Sequence, residues 1–394
     1  VTLAHRALDI PLQDRILYGR GRIDDLPALV RGAGGRRAFI VTDPGVARAG
    51  VAERVRAILE AAGIATHVHA EVEPNPGTAS IVRGSRALAL FGTGGTVVVA
   101  VGGGSSMDSA KAISLHAVNG GEVLALGYHR EDLFPGLPLV AVPTTAGTGA
   151  ETNTYGVITD EAAGRKGYVG HPSVRPVGAI LDPELTVGLP PAATAATGVD
   201  AMTHSLESLL SKNPNPFAEA MALQVIRTVV AWLPVAVGDG TNIEARGQLL
   251  LASHLAGLGQ ASGTGVGLVH AIGHALGTRG RLPHGTALAA VLPEVLGFYA
   301  DHAGLRDREL ALVAVAIGVA SPADDWAEAA RAGIDGLDAF LRRVGQRSTL
   351  AELGVGEELI GVIAQDAIDD PAIANSPRMP DLEQVEAILR LVAG

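Results

Sequence analysis

One carboxylate and four imidazoles in the second half of the chain carry the clearest chemistry. Asp200 and His204 stand four positions apart, His270 and His274 repeat that interval, and His284 follows behind a proline. Four positions on a helix bring two side chains to one face. Carboxylate oxygen and imidazole nitrogen suit a divalent first-row metal, and any metal here must use such ligands because the chain has no cysteine. Four of the five groups suffice for a site, and spacing leaves open which four. A single buried histidine is more often a hydrogen-bonded core residue, and Asp200 also reads as a helix cap. Three histidines within 270–284, among apolar neighbours, are harder to place that way.

A second cluster points to an anion. The run VVAVGGGSSMD at 98–108 is an apolar strand, three glycines and two serines that open a helix. Glycines let the backbone approach a phosphate, and the free N–H groups of the helix start stabilise its charge. The spacing is not G-x-G-x-x-G, and a plain tight turn is the competing reading. The loop PTTAGTGAE at 143–151 adds Thr144, Thr145 and Thr148, whose hydroxyls suit ribose, phosphate or amide. Asp43 ends an earlier strand, where an acid accepts from ribose hydroxyls and repels a 2′-phosphate, or caps the next helix.

These groups need a scaffold. Short β-branched runs at 37–42, 67–72, 96–101, 137–142 and 177–181 alternate with helical patterns at 45–62 and 79–91, as a parallel sheet with crossover helices requires. After the LPP at 189–191 the pattern is helical, with segments expected at 191–210, 216–235, 243–259, 308–320 and 326–344. The expected architecture is an α/β dinucleotide-binding domain with a parallel Rossmann-like sheet over 1–188. An all-helical metal-binding and catalytic domain follows over 189–394, with a cleft between the two for chemistry.

The bulk numbers narrow the class. At 394 residues, 47% apolar and 18% charged, the chain reads as globular rather than disordered, with an aliphatic core because aromatics are 3%. A formal charge of −11 argues against nucleic acid, and of 30 basic residues only Lys111, Lys166 and Lys212 are lysine. The first fifteen residues lack a secretory pattern, and the apolar runs look short and glycine-broken, so neither export nor a membrane span is expected and a cytoplasmic location is. His67 and His69 should face solvent or an interface. His254 has no evident partner, and His5, His116, His129, His171 and His302 read as structural or surface.

Taken together, EPNP (73–76), GGGSSMDSAKA (102–112), PTTAGTGAE, LDPELTVGLPP (181–191), ATGVDAMTHSLES, HAIGHALG (270–277) and NSPR (375–378) resemble the iron-containing (group III) alcohol dehydrogenase family, with its dehydroquinate synthase-like architecture. The resemblance implies metal ligands Asp200, His204, His270 and His284, and places His274 near the nicotinamide as a proton relay. For the cofactor it implies Asp43, Asn75, Gly102, Gly103, Gly104, Ser105, Thr144, Thr145, Thr148 and Lys166, with Tyr155 beside them. The implied cofactors are NAD, with NADP as alternative, and a divalent metal, Fe(II) ahead of Zn(II). The implied activity is interconversion of a primary alcohol and its aldehyde, in a homodimer or larger homo-oligomer. One alternative is a dehydroquinate-synthase-like lyase, disfavoured because polyanionic substrates want converging lysines and the helical half has only Lys212. Others are a nicotinoprotein that retains its cofactor, and a non-catalytic binding module. Two departures stand out: no aromatic lies between Ala256 and His270, where relatives often line the substrate pocket, and Arg279 and Arg281 flank the histidines, where an anionic substrate group or solvent is their partner.

Overall fold

The computed structural model describes residues 15–127, 130–161, 164–301 and 305–394. His5, His129, His302 and the first fourteen residues lie outside these. The described residues form two compact units: an α/β unit from 15 to 194 together with 238–254, and a helical unit of 195–237 with 255–394. The sequence reading cuts the chain once, at 188; here 238–254 also groups with the α/β unit.

In the α/β unit, strands β1 (Ile16–Tyr18), β2 (Arg37–Val41), β3 (Ala65–His69), β4 (Thr96–Gly102), β5 (Leu139–Pro143) and β8 (Gly178–Leu181) form one parallel sheet in the order β1-β8-β5-β4-β2-β3. A separate antiparallel hairpin pairs β6 (Tyr155–Asp160) with β7 (Arg165–Gly170). Every residue of β4 is buried, which explains its unbroken apolar run. Alternation sends Val98 and Ala100 to one core with Phe39, Ile81, Met107 and Ile113, and Val97, Val99 and Val101 to the other with Leu26, Val55 and Leu59.

Helices α1 (Leu26–Gly32), α2 (Pro44–Arg48), α3 (Val51–Ala61), α4 (Thr78–Phe91) and α5 (Gly104–Asn119) complete the crossovers. The single helix expected over 45–62 is two, because Gly50 adopts a left-handed φ of 80° between them. The strand expected at 67–72 ends at His69, and β1 and the β6–β7 hairpin are additions that their short or polar sequences conceal. His69 is buried rather than at solvent, its ring stacked at 6.0 Å on Phe39, and burial lowers its pKa.

The remaining helices are α6 (Pro191–Leu210), α7 (Pro216–Gly238), α8 (Ile243–Gly259), α9 (Leu268–Arg279), α10 (His284–Ala300), α11 (Asp307–Ala316), α12 (Trp326–Arg343), α13 (Ile360–Asp369) and α14 (Leu382–Leu391). By length and composition alone α7 suffices to cross a membrane, which corrects the expectation that all apolar runs are short. Its Val225, Ile226, Val229 and Leu233 are buried, and a Cβ on Gly198 of α6 would come within 2.4 Å of Leu233, so this face is packed core.

Candidate metal centre and cofactor cradle

Three helix segments of the helical unit bring the ligand-type side chains together. Asp200, His204 and Glu207 ride one face of α6, His270 and His274 one face of α9, and His284 opens α10 behind Pro283. The turn between α9 and α10 runs through Arg281 at φ 56°, a left-handed conformation uncommon outside glycine. Asp200 Oδ1 lies 3.7 Å from His270 Nε2 and 3.6 Å from His284 Nε2. Ligand atoms of Asp200, His270 and His284 all fall within 4.8 Å of one another. His204 stands beside this triad: its ring centroid is 4.4 Å from that of His270, and its Nδ1 meets the Asp200 carbonyl at 3.0 Å, which leaves Nε2 for a ligand.

Asp200 Oδ1 and His270 Nε2 are both buried and without a hydrogen-bond partner. Leaving two such atoms unpaired costs several kcal/mol, so their convergence fits a cation that satisfies both. The electrostatics agree. Burial would raise the Asp200 carboxyl, but His204, His284 and His270 hold it well below the usual range. Burial dominates His204 and His284, lowering them to about 4 and about 3, so each offers an imidazole lone pair at neutral pH. His270 goes the other way: Glu207 and Asp200 overcome burial and raise it to about 9. Charges that retain a proton there also attract a divalent cation, which competes for the same lone pair.

Two carboxylates absent from the sequence reading orient the histidines. Glu207 Oε1 accepts from the backbone of Val269 at 2.7 Å and His270 at 3.4 Å, while Oε2 engages His270 Nδ1. It thereby caps the start of α9, where Gly267 offers no side chain, and fixes the His270 ring. Glu207 sits one turn past His204, a signal the spacing contains. Asp370 Oδ2 lies 2.8 Å from His274 Nδ1 but is 96 positions away, beyond any local pattern. Arg279 is paired with Asp366 at 2.6 Å, whereas Arg281 is exposed.

In the α/β unit, the order of strands reverses between β2 and β4, and ligands of such sheets bind outside the carboxyl ends at that switch. Asp43 follows β2, and Gly102, Gly103 and Gly104 end β4 and start α5. The glycines are dictated by close approach. A Cβ at Gly104 would lie 2.7 Å from Thr148 Cγ2, one at Gly103 3.1 Å from Thr145, and one at Gly102 2.3 Å from Ser106 Oγ, with φ 149° besides. No side chain caps α5, so its first N–H groups, at Gly104, Ser105 and Ser106, suit a phosphate. Asp43 takes the cap role: Oδ1 accepts from the N–H groups of Gly45 and Val46 at the start of α2, while Oδ2 accepts from Ser106 Oγ at 3.4 Å.

Around this cradle, Thr144 pairs its N–H with the Gly102 carbonyl at 3.0 Å, and Lys166 Nζ reaches Asn75 Oδ1 at 2.7 Å, bringing those two expected residues together. The Tyr155 ring packs edge-on against Tyr168 at 5.7 Å. Buried Lys111 donates to the carbonyls of Ala150 and Tyr155 and to Asn153 Oδ1, tying α5 to the threonine loop. His254 does have a partner, Glu151 of that loop, at 3.0 Å. His116 takes up Ser85 Oγ at 2.7 Å.

Known proteins match the chain along nearly its whole length. Residues 13–183 match the model of iron-containing alcohol dehydrogenases, and 194–392 match that of the C-terminal part of the Fe-containing alcohol dehydrogenase family. The chain is 33% identical to the NAD-dependent methanol dehydrogenase of Bacillus methanolicus over 95% of its length and 97% of that protein. It is 35% identical to lactaldehyde reductase of Escherichia coli K12, covering 95% of this chain and 96% of that one. A crystal structure of 1,3-propanediol oxidoreductase superposes with a TM-score of 0.93 at 31% identity, covering 98% of this chain and all of the other. Matches of this extent, over both units and in the order of the motifs, make the chain a member of the iron-containing alcohol dehydrogenase family.

Proposed function

We propose that the chain interconverts a primary alcohol and its aldehyde with NAD, using a divalent ion held by Asp200, His204, His270 and His284. The observation that carries this reading is the convergence of two buried, unpartnered atoms, Asp200 Oδ1 and His270 Nε2, with His284 Nε2 beside them. Nitrogen and carboxylate donors without sulfur suit Fe(II) or Zn(II) alike, and membership of the iron-containing family puts Fe(II) first. The Asp43 carboxylate beside Ser106 favours NAD over NADP by repelling a 2′-phosphate.

When bound, the nicotinamide supplies the hydride acceptor and the divalent ion supplies Lewis acidity toward the alcohol oxygen. The chain's part is orientation and proton handling. Gly102 to Gly104 and the first turn of α5 would hold the pyrophosphate, with Thr144, Thr145 and Thr148 of the threonine loop and the paired Asn75 and Lys166 as further binding residues for the cofactor. Glu207 holds His270 in one ring orientation, and the Asp200 carbonyl does the same for His204. His274 takes the hydroxyl proton in oxidation and returns it in reduction.

Incubation with NAD and a series of primary alcohols tests the reading. Steady NADH accumulation is expected. Turnover of a cyclic polyanion with no net NADH would favour the lyase alternative, and cofactor that survives desalting with no dependence on added NAD would favour the nicotinoprotein.

A further inference from the structure

We infer that Asp370 is a positioning residue for the reaction: it fixes the tautomer and ring orientation of His274, so that Nδ1 carries the proton and Nε2 is the bare acceptor. This rests on the proposed role of His274 as the group that accepts the alcohol proton.

The carboxylate is held at both ends. Its Oδ2 lies 2.8 Å from His274 Nδ1, while Oδ1 accepts the Ala372 N–H at 2.8 Å as the cap of the turn Pro371–Asn375. An ionised carboxylate accepts only, so the contact defines which ring nitrogen bears hydrogen. The imidazole faces are fixed as well. His274 stacks on His284 at 5.5 Å with a 20° interplanar angle, and stands edge-on to His270 at 5.9 Å and 75°.

His270 and His274, one turn apart on α9, thus share a device with different outcomes. Each has a buried carboxylate on Nδ1, Glu207 and Asp370 respectively. The Nε2 of His270 faces the unpartnered Asp200 oxygen, whereas the Nε2 of His274 has no protein partner among the described residues and the residue retains 8% exposure. The first suits a ligand and the second a base. In oxidation the O–H bond breaks as an N–H bond forms at Nε2, and the hydride leaves with its electron pair to the nicotinamide. The resulting imidazolium then carries hydrogen on both nitrogens, with Nδ1–H against the Asp370 carboxylate.

The test uses Asp370→Asn, since asparagine also caps and so preserves the turn. Its amide donates where Oδ2 accepted, pushing the ring proton onto Nε2. The expected result is a kcat lower by roughly 100-fold or more, with KM and bound metal little changed. In a His274→Ala background the same change should cost nothing further, and ¹⁵N spectra of labelled histidine should show the His274 signal, identified by its absence from His274→Ala, switching from the Nδ1–H to the Nε2–H form. Retention of kcat within about threefold, an equal loss in both backgrounds, or an unchanged tautomer overturns the inference. Full turnover in His274→Ala alone instead overturns the role of His274 itself, and the inference with it.

Discussion

Removing one partner from a buried charged cluster is costlier than never building it, and that asymmetry separates the histidines of α9. His270 contributes an Nε2 directed at Asp200 Oδ1, so His270→Ala should purify without bound metal, while His274→Ala should retain a full equivalent and turn over slowly. Elemental analysis of both proteins decides it, and the reverse pattern contradicts the ligand assignment. Glu207→Gln should weaken metal affinity roughly 10- to 100-fold without loss of the fold, measured by competition with a chelating dye. At this scale the sequence exposes the ligand-type residues through their one-turn spacings, yet cannot choose four of five, because His270 and His274 share a face. The family resemblance implies that choice, and the surroundings of each Nε2 support it: that of His270 faces Asp200 Oδ1, whereas that of His274 has no protein partner among the described residues. Glu207 stands within reach of pattern reasoning as a third residue on the face of Asp200 and His204; Asp370 does not, since only the folded chain brings it to His274.

The cofactor cradle depends on how closely two elements approach. Gly104 starts α5 where a Cβ would meet Thr148 at 2.7 Å, so Gly104→Ala should push the threonine loop outward and raise the Kd for NAD about 10-fold, with metal content unchanged. Titration of protein fluorescence with NADH provides the measurement. Lys111 secures the same loop from below. Lys111→Met removes the buried donor that Ala150 O, Asn153 Oδ1 and Tyr155 O share and should cost about 3 kcal/mol. Burial lowers the Lys111 ammonium to about 8 in the folded chain, against the pull of Asp108 and Glu151. An unfolded lysine titrates near ~10.4, so between these values the unfolded chain binds the extra proton and the lysine's contribution to stability rises with pH. Below pH 8 both states are charged and the contribution is flat. Denaturation at pH 7 and 9.5 should therefore show a wider gap between the parent and Lys111→Met at the higher pH; a constant gap would contradict the shift. Strands β2 and β4 are readable because both their faces are buried and their runs carry no polar side chain after the first residue. The hairpin of β6 and β7 is not, since its residues alternate weakly and are ordered by Asp108 and Lys111 of α5 and by Asn75, all distant in sequence.

For the molecule as a whole, helicity after residue 190 is plain in the sequence, but the assignment of 238–254 to the α/β unit is not. Arg246 there bonds Thr194 Oγ1 and the Leu189 carbonyl, and Leu250 joins the core that holds Ile81 and Ile113, contacts with no local signature. In the proposed reading one unit supplies the cofactor cradle and the other the ligand cluster, so activity should require both a dinucleotide and an ion. The most direct measurement is anaerobic titration of chelator-stripped protein with Fe(II), following NADH formation from NAD and a primary alcohol. Activity absent at the start and rising linearly to a break at one ion per chain is the predicted result. Undiminished NADH formation in fully stripped protein would contradict it.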